Sequence, residues 1–277
     1  MAQRIDRLDS RRPVSLGRLG AMVRRHAYLL RSSWPRLLEL VYWPTVQMVL
    51  WGFITQFLLT NSSYVAQAAG VFLSAVLLWD VLFRGQIGVS ILFMEEMYSR
   101  NLGHLFVSPL RPYELVGSLW VMSLLRVLIG SGGAALLAIP IHGFSIFDSL
   151  GLPLIAFFAN LMLFSWAMGV LIAGFVLRMG LGAESLAWAA IFLIQPISGV
   201  YYPIEVLPAW LQAVAWCLPS AYVFEGMRAV LFDGTFRTGL FLGALGLNLV
   251  WIALAGLVFT LLFRSARDRG LLLQVGE

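Results

Sequence analysis

The residue types able to do chemistry in this chain are few, and their absences are informative. All 19 basic residues are Arg; the sequence contains no Lys. A phosphate-binding P-loop needs a Lys after its last Gly, and Schiff-base catalysis needs a Lys amine. Neither chemistry is open to this chain. A lone Cys217 forms no internal disulfide, and His26, His104 and His142 lie too far apart in sequence to suggest a metal-ligand pattern. No metal site and no catalytic residue is expected. Polar chemistry within the apolar sequence falls instead to Asp80, Arg84, Gln86 and Arg126. Asp80 and Arg84 have the i,i+4 spacing that lets them pair on one helix face.

The elements that must position these residues are set by composition. The chain has 277 residues, of which 60% are hydrophobic and only 12% charged, with a mean hydropathy of +0.85. A soluble domain carries roughly 25% charge, so half that amount excludes a soluble enzyme and a disordered protein alike. Uncharged or nearly uncharged runs cover 40–59, 65–93, 116–141, 152–177, 186–202 and 240–263. Crossing the hydrocarbon core takes about 20 apolar residues. The runs are apolar on every side, unlike the alternating strands of a membrane barrel, so the backbone must satisfy itself as helix. The expected fold is an all-α integral membrane protein with six transmembrane helices. Residues 1–37 form a cytosolic N-terminus, and residues 38–277 a single six-helix transmembrane domain.

Basic residues in the loops set the orientation. With six spans, fifteen Arg fall on the side of the two termini and two, Arg228 and Arg237, on the other. Both termini are therefore expected in the cytosol. The Arg-rich start has too long a basic region for a signal peptide and lacks a small-residue cleavage site. Its Leu19, Met22, Val23, Leu29 and Leu30 alternate with Arg18, Arg24, Arg25 and Arg31, the pattern of an amphipathic helix lying on anionic membrane lipid. Nucleic acid is not an expected partner.

Depth gives the intramembrane charges a role. Arg84 lies nine positions before Phe93 and Arg126 ten after Val116, so both sit roughly 15 Å deep at 1.5 Å per residue. A central charge costs at least about 2.5–3.5 kcal/mol and must face the bundle interior with a partner. The expectation is a network of Asp80, Arg84 and Arg126, with Gln86 beside it, joining spans two and three. It serves either as scaffold or as a contact for an anionic substrate group.

Two segments carry more specific information. The first runs from Glu95 and Glu96 through Arg100, Leu105, Phe106, Pro109 and Arg111 to Glu114. Apolar residues in a short cytosolic loop suit a docking surface, and equally a short interfacial helix that only anchors its spans. The second holds Ser198, Gly199, Tyr202, Pro203 and Trp210, and its four prolines at 196, 203, 208 and 219 break it into short pieces. Broken backbone at membrane depth is tolerated only when buried in protein or lining a cavity.

Glu95-Glu96, Arg100, Leu102, Leu105, Ser108-Pro109-Leu110 and Glu114 resemble the cytosolic loop of permease subunits of type-2 ATP-binding-cassette transporters. Asn101 and Gly103 stand where that family usually has Thr and Glu. Ser198-Gly199, Tyr202-Pro203, Leu207-Pro208-Ala209-Trp210-Leu211 and Pro219 to Tyr222 ahead of Arg228 resemble the same family's outer signature. The resemblance implies a coupling loop against a separate ATPase subunit, and short re-entrant helices between spans five and six. It also implies a dimer of permeases in a bacterial inner membrane, exporting amphipathic molecules such as drugs, lipids or lipid-linked glycans. ATP and Mg would be bound by the partner, with no cofactor in this chain. An ATP-independent channel, an ion-coupled secondary transporter and a membrane scaffold are the alternatives that composition leaves open.

Overall fold

The computed structural model describes residues 15–61, 69–180, 182 and 184–269. The first fourteen residues of the expected N-terminal segment lie outside them. Among the described residues the chain is helical throughout, with no strand. Helix α1 (Leu16–Arg31) is followed by α2 (Trp34–Asn61), α3 (Ala69–Tyr98), the short α4 (Leu102–Val107) and α5 (Pro112–His142). After these come the short α6 (Ile146–Leu150), α7 (Pro153–Met179) and α8 (Glu184–Ile194). The chain closes with α9 (Ala209–Ala215), α10 (Pro219–Asp233) and α11 (Thr238–Asp268).

Local chemistry starts and stops these elements. Ser15 caps α1 by accepting a hydrogen bond from the Arg18 amide. Proline opens α5, α7 and α10 at a position whose N–H has no helical partner anyway. Gly234 ends α10 with φ +63°, and its N–H reaches back to the Ala229 and Val230 carbonyls.

Two hydrophobic clusters fill the bundle, one at the α1 end and the other running from there to the opposite end. At the α1 end, Met22 packs with Phe93 of α3, Leu102 of α4, Leu115 of α5, Leu177 of α7 and Phe263 of α11. At the opposite end, Ile146 and Leu150 of α6 gather with Phe157 of α7 and Val223 of α10. So α7 finishes at the α1 end and α11 begins at the far one. The chain between them must travel the length of the bundle.

That passage differs from expectation. Among the described residues five helices are long and apolar enough to cross a bilayer: residues 34–57, 71–98, 112–142, 153–179 and 238–268. The fifth expected span, residues 186–202, is not a helix of that length. Helix α8 and the 3₁₀ turn Gln195–Ile197 together cover Glu184–Ile197, roughly 21 Å at 1.5 Å per residue against a core of about 30 Å. Pro196 and the left-handed turn at Gly199 stop it. The rest is made by the turn Ile204–Val206, by α9 and by α10. The indole of Trp251 donates to the Cys217 carbonyl at 3.0 Å. Trp251 lies thirteen residues into α11, roughly 20 Å from its start, so the α9–α10 turn dips deep before α10 climbs back out. This is the re-entrant arrangement.

Helices approach closely where side chains are small, as membrane bundles require. Polar links reinforce the contacts. Ser123 donates to the Gly85 carbonyl at 2.8 Å, tying α5 to α3. Asn248 of α11 donates to Asn160 of α7 at 2.9 Å. At Gly169 an added Cβ would meet Val89 Cβ at 2.6 Å and the Gln86 carbonyl oxygen at 3.1 Å. Replacing Gly169 by Leu should therefore force α3 and α7 apart, at about 1–3 kcal/mol or more. Thermal unfolding of the purified protein is expected to show the loss. Gly246→Ala, where nothing lies within 4 Å, is expected to leave stability unchanged.

Candidate functional site

The α1 end is organised by two buried carboxylates. Glu114 sits in the first turn of α5, with no exposed surface. It accepts from Arg18 Nη2 at 2.7 Å and Nε at 2.9 Å, from the Ser15 amide at 2.9 Å and from the Arg111 amide at 3.1 Å. Glu96, 2% exposed, accepts from Arg25 at 2.6 Å and Asn101 at 2.9 Å, and lies 3.0 Å from His26 Nε2. Both carboxylates thereby fasten α1 to the turns that flank α4. Arg36 and Glu95 make a looser contact at 3.4 Å.

These contacts correct part of the sequence expectation. Glu95 and Glu96 are not in a loop; they close α3. Glu96 and Arg111 are buried and cannot offer a docking surface, because their partners lie within the chain. Arg111 caps α5 and contacts the Tyr113 hydroxyl. The face left open comprises Arg100, His104, Pro109 and the half-buried Leu105. Phe106 belongs to α4, but its side chain lies outside the described residues. Arg100 takes φ +54°, a left-handed turn rare for a side-chain-bearing residue. It ends α3 and redirects the chain into α4.

Further along α3 a cleft of about 620 Å³ opens between α2, α3, α5 and α8. Asp80 and Arg84 face it as a pair, with Arg84 Nε 2.8 Å from Asp80 Oδ2. Ser131 of α5 donates to the same carboxylate at 2.6 Å. The expected link between spans two and three therefore exists, through Ser131 and not Arg126. Arg126 lines the cleft without a hydrogen bond or ion pair among the described residues; Glu95 and Glu39 are the acids whose charge reaches it. Gln86 is fully buried, donates to Ser90 within its own helix and takes no part in the cleft. The apolar walls are aromatic: Trp43, Trp51, Phe83, Trp188 and Phe192, with Phe83 tilted against both Trp188 and Phe192.

The outer segment closes the far end of this cleft. Tyr201 stacks on Trp51 with ring centroids 5.0 Å apart and accepts from Gln195 at 3.0 Å. Ser198 is buried; it donates to the Ile194 carbonyl at 2.7 Å and accepts from Ser220 at 3.1 Å. Gly199 is left-handed at φ +66°, and an added Cβ would lie 2.7 Å from Ile204 Cδ1. Tyr202 donates to the Pro196 carbonyl at 2.5 Å. Glu225 of α10 accepts from the Ile204 amide at 2.8 Å and from Arg228 at 2.9 Å. Arg228, taken from sequence as a loop charge, is thus buried. Pro203 and Trp210 are exposed.

A protein-family model described as ABC-2 type transporter matches residues 21–232. That is most of the chain, from α1 through α10. The chain belongs to the ABC-2 type transporter family. Among curated proteins no significant match is found. Membership makes this ABC-2 chain a multi-pass transmembrane component of an ABC transporter, a type that associates with an ABC ATPase.

Sequence reasoning passed over Glu114 as a site residue, although Arg111-Pro112 followed by Glu at the third helical position is an N-terminal capping pattern. Nothing in the sequence marked Ser131 or Glu39 as cleft neighbours. Two outcomes test these assignments. Asp80→Ala leaves Arg84 without its counter-ion and should cost about 3–5 kcal/mol, while Asp80→Ala with Arg84→Met should cost less; thermal unfolding of the wild type, both single variants and the double decides, and strictly additive losses would refute the pairing. Glu114→Ala strips Arg18 and two amides of their acceptor, each charged bond contributing about 1.5–3 kcal/mol. Hydrogen exchange should then rise across Leu16–Arg31 of this ABC-2 protein while α7 stays protected.

Proposed function

We propose that this chain is the membrane half of an ATP-driven exporter that carries an amphipathic molecule, such as a drug, lipid or lipid-linked glycan, out across a bacterial cytoplasmic membrane. It works as a homodimer with both termini in the cytosol, and each copy docks on an ATPase subunit that binds ATP and Mg. The excess of Arg at the α1 end supports that orientation. The open face of α4 supports the docking site.

One observation carries the coupling. The single helix α3 bears Glu96 at the docking end and Asp80 and Arg84 in the cleft. Leu102 of α4 is buried against that end, and Asn101 is bonded to Glu96. A pull on α4 as the motor subunits close moves α3 as a rigid rod, and with it one wall of the cleft. That is a two-state transition driven by a ligand bound to the partner. Paired charges beside aromatic walls suit a substrate with a polar head and an apolar body.

The test is made on the docking face. Leu105→Asp with Pro109→Asp should reduce the co-purifying ATPase roughly thirtyfold, since an interface anchor contributes about 2 kcal/mol or more. Insertion of the permease should stay normal, and because Leu105 also packs against the α1-end cluster, Pro109→Asp alone is carried beside it and should weaken ATPase recovery without loss of thermal stability. Wild-type recovery of the ATPase with the double variant would remove α4 from the coupling role.

A further inference from the structure

A second cavity, of about 460 Å³, lies at the α1 end between α5, α7 and α11. It is distinct from the cleft, which opens toward α2 and α8. Its walls are apolar, with Val116 from α5, Val170 from α7 and Ile252, Ala255 and Phe259 from α11. Gly256 floors an open stretch, where an added Cβ would meet nothing within 4 Å. The charged lining is confined to the mouth and is all of one sign: Arg264 and Arg267. Arg264 makes no ion pair among the described residues. Arg267 has only Asp268 at 3.9 Å, with both side chains exposed. Deeper in, Trp120 lines the groove and stacks on Trp166 at 5.2 Å. The Trp120 indole N–H has no acceptor among the described residues.

We infer that this groove holds one anionic phospholipid of the inner leaflet. Its acyl chain lies along α11, and its phosphate meets Arg264 and Arg267. Length agrees: from Arg264 to Ile252 is twelve residues, roughly 18 Å at 1.5 Å per residue. One leaflet supplies half of a core about 30 Å thick. Polarity agrees too, because the cations stand at the end where headgroups lie in the topology proposed above, and the apolar walls continue inward. A basic pocket between membrane helices on the cytosolic side is the chemistry that selects anionic headgroups. The inference rests on that topology but not on transport, direction or substrate, so its test is a binding measurement.

The permease, purified with its ATPase and stripped of lipid, is offered phosphatidylglycerol or phosphatidylcholine, and native mass spectrometry reports retained lipid. The wild type should retain phosphatidylglycerol about thirtyfold more strongly, the scale that two basic residues give at an anionic surface. Arg264→Gln with Arg267→Gln should abolish the preference while leaving both lipids bound weakly. Gly256→Leu should displace both, since it fills the groove without touching the headgroup residues. Equal retention of the two lipids by the wild type, or unchanged retention by Gly256→Leu, overturns the site. So does a disulfide between two copies carrying Gly256→Cys in a Cys217→Ser background, which would give the groove to a second permease.

Discussion

A carboxylate with no exposed surface cannot be left alone in an apolar bundle, and Glu114 organises its whole neighbourhood under that constraint. Its four hydrogen bonds come from the side chain of Arg18 and from the amides of Ser15 and Arg111. They bring together the start of α1 and the start of α5. Glu96 repeats the device near the end of α3, with Arg25, His26 and Asn101. Leaving either donor or acceptor unpaired would cost more than forming the bond contributes. The arrangement is therefore all or none. Helix α1 is held to the bundle, the bend into α4 is fixed, and the open face of α4 is presented in one orientation.

The far side of the molecule solves a different problem. A chain that must return through the bundle after α7 does so without a full-length helix, so its backbone groups need local partners. Ser198 and Glu225 supply them, with Ser220 donating to the Ser198 hydroxyl, and the Cys217 carbonyl finds the Trp251 indole. Gly199 accepts the left-handed turn that no β-carbon could share with Ile204. What reads as a run of prolines is a packed plug, and it forms one boundary of the cleft.

Hydropathy made the class, the five long helices and the amphipathic α1 legible, because those properties depend on residues near one another in sequence. The Asp80–Arg84 pair was legible for the same reason, being four residues apart on one helix. The failures share the opposite cause. Glu96 and Arg111 looked like exposed loop charges because their burial depends on contacts that spacing along the chain does not reveal, such as those of Arg25 with Glu96, 71 residues apart. Ser131 satisfies Asp80 across 51 residues, and a serine in an apolar helix carries no sign of that duty. Arg126 was assigned to the network on depth alone. Depth brought it into the same cleft as Asp80 and Arg84, but does not say whether the side chains come close enough to bond.

The separation of Arg18 from Glu114, 96 residues, also sets an order of events during synthesis. At ribosomal rates, about 5–20 s elapse between the emergence of α1 and that of its anchor. For most of that interval the helix has neither of its carboxylate partners and none of α5 to pack on. Its docking is complete only when the third long helix arrives. The residues that fasten α1 in the finished protein are thus made long before the groups they fasten to, and the amino-terminal helix is among the last elements to find its place.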